Sequence, residues 1–312
     1  MCYSALCMTD FNALARDHGA VIDTVSFETV IASESGARRP RVPRAVERNF
    51  EGSTSEHGRS VARLIEDGWR RRVEAWELAL FTQTQRLSAA ERALSGGKAT
   101  KWAQEEKRIA SAKMEQLQGW IQDANRQETE SRDSRIYPGY YAPLMVWENG
   151  RRVIKAMRYQ CRIHGWTSQV ERVYPSAFNA RRDKLERSWS KHFGIKHGIL
   201  VVSRFYEFVS RLRLDGNEMN VELEFAPRPD RAMLVACLWS DWSAPDEPPL
   251  LSFAAVTDEP PPEVLAAGHD RCIVPVKAEY VDEWLQPRGD LPRMYAILDD
   301  RERPFYEHKA AA

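Results

Sequence analysis

No stretch of about 18 uncharged apolar residues occurs in the chain, so a membrane-spanning helix is not expected. The start has no basic segment followed by an apolar run, which argues against a secretory signal. Cysteine is scarce. The five residues Cys2, Cys7, Cys161, Cys237 and Cys272 are odd in number and lack disulfide-framework or zinc-type spacing. Such usage suits a reduced, cytoplasmic protein, and neither a metal nor a cofactor is expected. Net charge is missing too, because 45 basic and 45 acidic residues cancel. A strongly basic nucleic-acid binder is thereby excluded as a global description, while a local basic face is not. There is no internal repeat.

What is present is ample core material: 43% hydrophobic residues and ten tryptophans, too much for a disordered chain. Residues 1–55 read as a strand or short helix that gives way to an irregular stretch around Ser33–Gly36, after which Arg38, Arg39, Arg41, Arg44 and Arg48 are interleaved with proline. That segment reads either as a solvated loop or as an arm that tracks phosphates. From His57 onward, Val61, Leu64, Ile65, Trp69, Val73, Trp76 and Leu80 recur at helical spacing. Ser95-Gly96-Gly97 interrupts the pattern, which resumes through Trp102, Ile109, Met114, Leu117 and Ile121. The spacing predicts a helical hairpin over 57–128, inserted into a single domain spanning 1–312.

Beyond residue 135 the texture changes to short segments rich in β-branched and aromatic residues. They are Ala142–Trp147, Arg151–Tyr159, Gly198–Phe208, Met219–Phe225, Arg231–Trp239 and Leu250–Thr257. Asn149-Gly150, Asp215-Gly216-Asn217 and Pro227–Asp230 supply turn signals between them. Short helices are predicted over Pro260–Ala267 and Tyr280–Leu285. The class is therefore α+β: a strand-rich, barrel-like or mixed-sheet body with surrounding helices and the long inserted hairpin.

Few residues invite chemistry. Cys2 follows the initiator Met1, and removal of that methionine would give one residue two reactive groups. Its α-amine, near pKa 7.7–8, is appreciably neutral at cellular pH, and its thiol sits near about 8.5. Such a 1,2-aminothiol condenses with an aldehyde to an imine, which the sulfur closes to a thiazolidine. Position alone fits better a small residue at a disordered terminus. Asn179-Ala180-Arg181 offers a hydrogen-bonding amide and a planar fork for phosphate, or merely a loop turn. Glu207, inside the aromatic strand Phe205-Tyr206-Glu207-Phe208, is either desolvated and useful as an acid or base, or turned outward. His269 in Gly268-His269-Asp270-Arg271-Cys272 is either a proton shuttle or structural.

Taken in order, Cys2, Asn179-Ala180-Arg181, Phe205-Tyr206-Glu207-Phe208, Leu238-Trp239 and His269-Asp270-Arg271 resemble the SRAP family. These are the SOS-response-associated peptidase-like proteins, also described as abasic-site processing proteins. The family's wording is Met-Cys-Gly-Arg, Asn-Ala-Arg-Ser-Glu, Gly-Phe-Tyr-Glu-Trp, Ala-Gly-Leu-Trp and His-x-Arg-Met-Pro. Ala236-Cys237-Leu238-Trp239 is similar to the fourth, Thr257 falls where the family has threonine, and Tyr137–Pro143 resembles its Asn-x-x-Pro segment. The likeness covers residues 1–10 and roughly 135–290 and leaves the hairpin outside. Ser4 replaces the family's arginine, Met157–Cys161 its Trp-Gly-Leu, Arg182-Asp183 its Ser-Glu, and Cys272-Ile273 its Met-Pro. These changes bear on DNA geometry and substrate preference.

The resemblance implies recognition of abasic sites in single-stranded DNA and covalent capture through Cys2. It also implies autoproteolytic Met1 removal, lyase chemistry and a place in the SOS response. It assigns catalysis to Cys2, Asn179, Glu207 and His269, and DNA binding to Arg181, Tyr159, Thr257 and Arg271. Tyr159, Trp239 and Trp242 are the candidates for base stacking. A monomer is expected, with the hairpin free to recruit a protein partner. The competing expectation is a paralogue that binds single-stranded DNA or a partner without chemistry.

Overall fold

The computed structural model describes residues 3–33, 40–96, 100–175, 177–212 and 217–311. Cys2, Arg38, Arg39, Gly97 and the Asp215-Gly216 pair therefore lie outside the described residues. The described chain divides into two compact units, residues 1–58 with 130–312, and residues 59–129.

The first unit is built on strands. It opens with β1 (Ser4–Cys7), α1 (Phe11–His18), β2 (Val21–Ile22), α2 (Thr24–Ala32) and α3 (Arg44–Glu47). Where the sequence indicates a strand or a short helix, the structure has both, β1 and then α1, with α2 as a further helix. Asp10 caps α1 by accepting from the Asn12 and Ala13 N–H groups, and Asp23 caps α2 through Ser26. The second unit comprises most of α4 (Glu56–Ser95) and α5 (Lys101–Ala124). Thr100 caps α5 by accepting from the Ala103 N–H at 3.1 Å.

The hairpin's buried positions are mainly small: Ala90, Ala103 and Ala110, with Leu117. Trp76 packs on Trp120 with ring centroids 5.5 Å apart. Trp102, assigned to the apolar stripe by its spacing, is instead exposed, as are Leu78 and Phe81. A stripe lined with alanine lets two helices approach closely and leaves large side chains nowhere to insert.

The chain returns through β3 (Arg135–Ile136), β4 (Tyr141–Glu148), β5 (Arg151–Tyr159), α6 (Ser168–Val173), β6 (Asn179–Arg181), β7 (His197–Leu212) and β8 (Glu218–Arg228). It continues with β9 (Met233–Ala244), β10 (Glu247–Asp258), α7 (Pro262–Ala266), β11 (Cys272–Ile273), α8 (Val281–Leu285), α9 (Leu291–Asp299) and β12 (Phe305–Ala310). The strands are longer than their sequence signals, with β9 running on to Ala244 and β10 starting at Glu247.

Pairing runs from β7 to β9, β10, β5 and β4. It returns to β7 at Met145↔Ile199, so the strands form a barrel-like ring with a narrow seam. The inside is packed by Phe205, Phe225, Phe253, Met157 and Leu144, all essentially excluded from water. Phe205 and Phe225 face each other in register and stack at 4.9 Å. Short strands extend the ring where the candidate residues lie. β1 sits antiparallel between β3 and β7. β6 runs parallel to the end of β10, and β11 antiparallel to it.

Candidate active site

Strand alternation decides which way Glu207 faces. Along β7, Phe205 and Glu207 share one side, both almost wholly buried, while Phe208 on the opposite side is 45% exposed. β1 covers this stretch with Ser4 opposite Tyr206. The Tyr3 backbone N–H donates to the Tyr206 carbonyl at 3.3 Å. It also reaches the Glu207 carboxylate.

His269 comes from a different part of the chain. The turn after α7 passes through Gly268 at φ +98°, a region that favours glycine. There the Gly268 N–H donates to Leu265 O and the His269 N–H to Val264 O. The turn aims the imidazole at β7: His269 Nε2 lies 3.2 Å from Glu207 Oε2. The other ring nitrogen, Nδ1, is 2.9 Å from the Arg271 carbonyl. The Arg271 backbone N–H also points at Nδ1, at 3.3 Å, so the turn holds this ring nitrogen from both groups of Arg271.

Burial is the largest influence on both groups. It raises the Glu207 carboxyl well above the usual carboxylate range and lowers the His269 imidazole. Both shifts favour the uncharged forms of the two groups. As a lesser influence, the Asp270 charge adds to the upward shift of Glu207 and opposes the downward shift of His269. It also raises Arg181, after that residue's hydrogen bond to Asp183. The Asp270 charge is thus felt on β6, on β7 and in the turn before β11. Asp270 is a contributor that the sequence reading passed over, since a lone acidic residue in a loop carries no signal.

The remaining residues fall on both sides of the β10 end. Asn179 lies beside Ala255 and is buried; Arg181 lies beside Thr257. Thr257 is wholly buried, and its Oγ1 has no hydrogen-bond partner among the described residues. The same holds for Arg271 Nε. Arg181 points its fork at Asp183, both bonds at 3.0 Å, so a phosphate would have to compete for it.

Tyr159 does not offer a ring to a base. It is 2% exposed, stacked on Phe253 at 5.4 Å and held edge-on by Phe178. Trp242 is likewise buried, with Nε1 donating to Trp166 O. Trp239 is half-buried, its Nε1 bonded to His197 O.

The cysteines Cys7, Cys161, Cys237 and Cys272 are free and buried. Burial pushes the Cys7 and Cys161 thiols up to about 12, and raises Cys237 and Cys272 also. At neutral pH none of the four supplies a thiolate. Among the described residues no group of three or more His, Cys, Asp or Glu could hold a metal ion.

The sequence profile of the SOS response associated peptidase (SRAP) family matches residues 99–308. The chain belongs to the SRAP family. The match takes in the strand-rich stretch from β3 into β12 and also α5, and excludes residues 1–98. No curated protein matches the chain. Similar solved structures include a protein from Bacteroides thetaiotaomicron at 12% identity, covering 57% of this chain and 77% of that chain with a TM-score of 0.46. A protein from Bordetella bronchiseptica is similar at 16% identity, over 60% of this chain and 90% of that chain, with a TM-score of 0.44. A phage-related protein from the same organism is similar at 20% identity over 60% and 85%, TM-score 0.43. No helix among the described residues is long and apolar enough to cross a membrane.

Proposed function

We propose that this SRAP protein captures abasic sites in single-stranded DNA covalently through Cys2 once Met1 is removed. The observation that carries the reading is the buried Glu207–His269 pair at 3.2 Å, lying where β1 brings the start of the chain alongside β7. The other four thiols are held protonated by burial, which leaves Cys2 as the sulfur nucleophile.

Ring-opening of the deoxyribose hemiacetal gives an aldehyde. The Cys2 amine adds to it, and loss of water, with Glu207 protonating the departing hydroxyl, forms an imine. The thiol sulfur then adds to the imine carbon, its proton passes to nitrogen, and a thiazolidine results. His269 Nε2 exchanges protons with Glu207 and resets it. Asn179 holds the sugar or the amine, Thr257 Oγ1 meets the incoming sugar, and Arg181 and Arg271 take flanking phosphate. The imine also permits β-elimination of the 3′ phosphate, which would give lyase activity.

The test is a denaturing gel with an abasic single-stranded oligonucleotide. Wild-type protein should give a heat-stable adduct, and Cys2→Ala none. Mass spectrometry should find Met1 absent. An adduct of normal yield from Cys2→Ala, or a retained Met1 with full adduct, would rule out the aminothiol. The second reading, a binding paralogue that docks a partner, draws on the exposed Leu78, Phe81 and Trp102 of the hairpin. Equal noncovalent retention of abasic and intact strands, with no covalent band, favours it.

A further inference from the structure

Asn179 reaches its place by an indirect route. β5 lies parallel to β10, with Arg158 beside Ser252 and Tyr159 beside Phe253. Further along β10, Asn179 of β6 lies beside Ala255, also in parallel. β9 occupies the opposite edge over the same stretch, with Trp239 beside Phe253 and Cys237 beside Ala255. One edge of β10 is thus shared by two strands in succession. The chain leaves it after Tyr159 and comes back at Asn179, with α6 in between.

The departure point is Gln160, whose φ is +120°. That backbone region is open to glycine and costly for a residue with a side chain. Three groups of Gln160 are engaged there. Its N–H donates to Phe253 O at 3.0 Å, and its carbonyl accepts from Arg158 Nε at 3.2 Å. Its side-chain Nε2 crosses to the returning leg and donates to Pro175 O at 3.3 Å. The next residue repeats the crossing, because the Cys161 N–H donates to Ala177 O at 2.8 Å. The Ala255 N–H then donates to Phe178 O at 3.1 Å, which seats Asn179 on β10.

The leaving leg has anchors of its own. Arg158 and Arg162 both pair with the buried Glu171 of α6, and the Arg162 N–H donates to Ser252 Oγ at 3.0 Å. A glycine at 160 would relieve the backbone and lose the tie to Pro175. We infer that Gln160 is a positioning residue for Asn179: its strained backbone and its amide close the neck between β5 and β6 and fix where the buried Asn179 meets the captured sugar or amine. The inference rests on the proposed function for the role of Asn179 and adds a residue with no reactive group to it. Strain persists where the surroundings over-determine it, and here the bonds on both legs do so.

The experiment uses full-length protein and abasic single-stranded DNA, with adduct formation timed across DNA concentrations. Gln160→Gly removes both strain and amide, whereas Gln160→Met keeps length and strain and removes the N–H donor. Each should lower the maximal rate about fivefold or more and leave the half-saturating DNA concentration within about twofold. Heat should unfold Gln160→Gly about 2 °C or more above Gln160→Met, so rate and stability part company. In Asn179→Ala protein, followed over longer incubations, either substitution should change the rate by less than about twofold. A wild-type maximal rate in either variant, or a loss of about fivefold that persists without Asn179, overturns the inference. Amide hydrogen exchange reads the neck without chemistry, and the Ala255 N–H should exchange about tenfold faster in both variants. If the wild type forms no adduct, the capture reading falls and Ala255 alone decides the neck: faster exchange keeps it, and unchanged exchange sinks it.

Discussion

In the strand-rich unit a hydrogen bond such as Arg135 to Ser4, at 2.8 Å, joins residues 131 positions apart. In the helical unit the matching ties are Arg86–Glu106 and Trp76–Trp120, between two consecutive helices. Charge is used differently as well. The strand-rich unit buries Glu207 against His269 and holds the buried Glu171 between Arg158 and Arg162. The helical unit keeps its pairs, among them Lys107–Glu91 and Arg108–Glu105, in water. A net charge of zero therefore hides two kinds of ion. Some are desolvated by burial, and others do little more than keep a surface wet.

The largest effect expected from this contrast is at Glu207. Its carboxyl is held above its unfolded-state value, so the folded protein binds more protons than the unfolded chain between those values. Stability then falls as pH rises through that range, and the buried group costs most above it. Glu207→Gln should slow adduct formation on the order of 100-fold or more. The same variant should gain about 1 kcal/mol in urea unfolding, with a larger gain at pH 8 than at pH 4. Unchanged kinetics would remove the acid role, and a pH-independent stability would mean the group is not desolvated.

Next in size is a pair of tryptophans, one in each unit. Trp284 is wholly buried and donates to Gly198 O at 3.0 Å. Trp284→Ala should cost about 3–5 kcal/mol. Trp76 is only half-buried, and its partner Trp120 is 44% exposed. Trp76→Ala should cost below about 1.5 kcal/mol. Chemical denaturation of both variants compares them, and equal costs would erase the distinction between the units.

The smallest effect is the Arg86–Glu106 pair, 2.7 Å apart with side chains 36% and 23% exposed. A double-mutant cycle should give a coupling of about 0.2–1 kcal/mol, shrinking in 1 M salt. A coupling above about 2 kcal/mol would mean that charge, not alanine-lined packing, holds the two helices together.

Legibility followed the same divide. The helical spacing from Val61 to Ile121 needs only near neighbours, and it located both helices, α4 and α5, although it assigned Trp102 to the wrong face. The strand segments were legible as segments, because β-branched and aromatic runs between turn residues are also local. Which face Glu207 presents was not, since that depends on β1 and β8 pairing along β7. Tyr159 looked available because nothing near it in sequence announces Phe253 above its ring. Asp183 sits two residues from Arg181, yet only the geometry makes it a fork-filling partner. At the start of the chain the sequence indicated a strand or short helix without separating β1, α1 and α2, because such short segments give too few turns to establish a period.

One arrangement has a consequence in time. β1 pairs with Ile136 on one edge and with residues as far on as Tyr206 on the other. On a ribosome adding roughly 5–20 residues each second, Ser4 is made some 10–40 s before Tyr206 exists to receive it. Until then β1 has only β3 to pair with, and its closure against β7 waits on residues made much later.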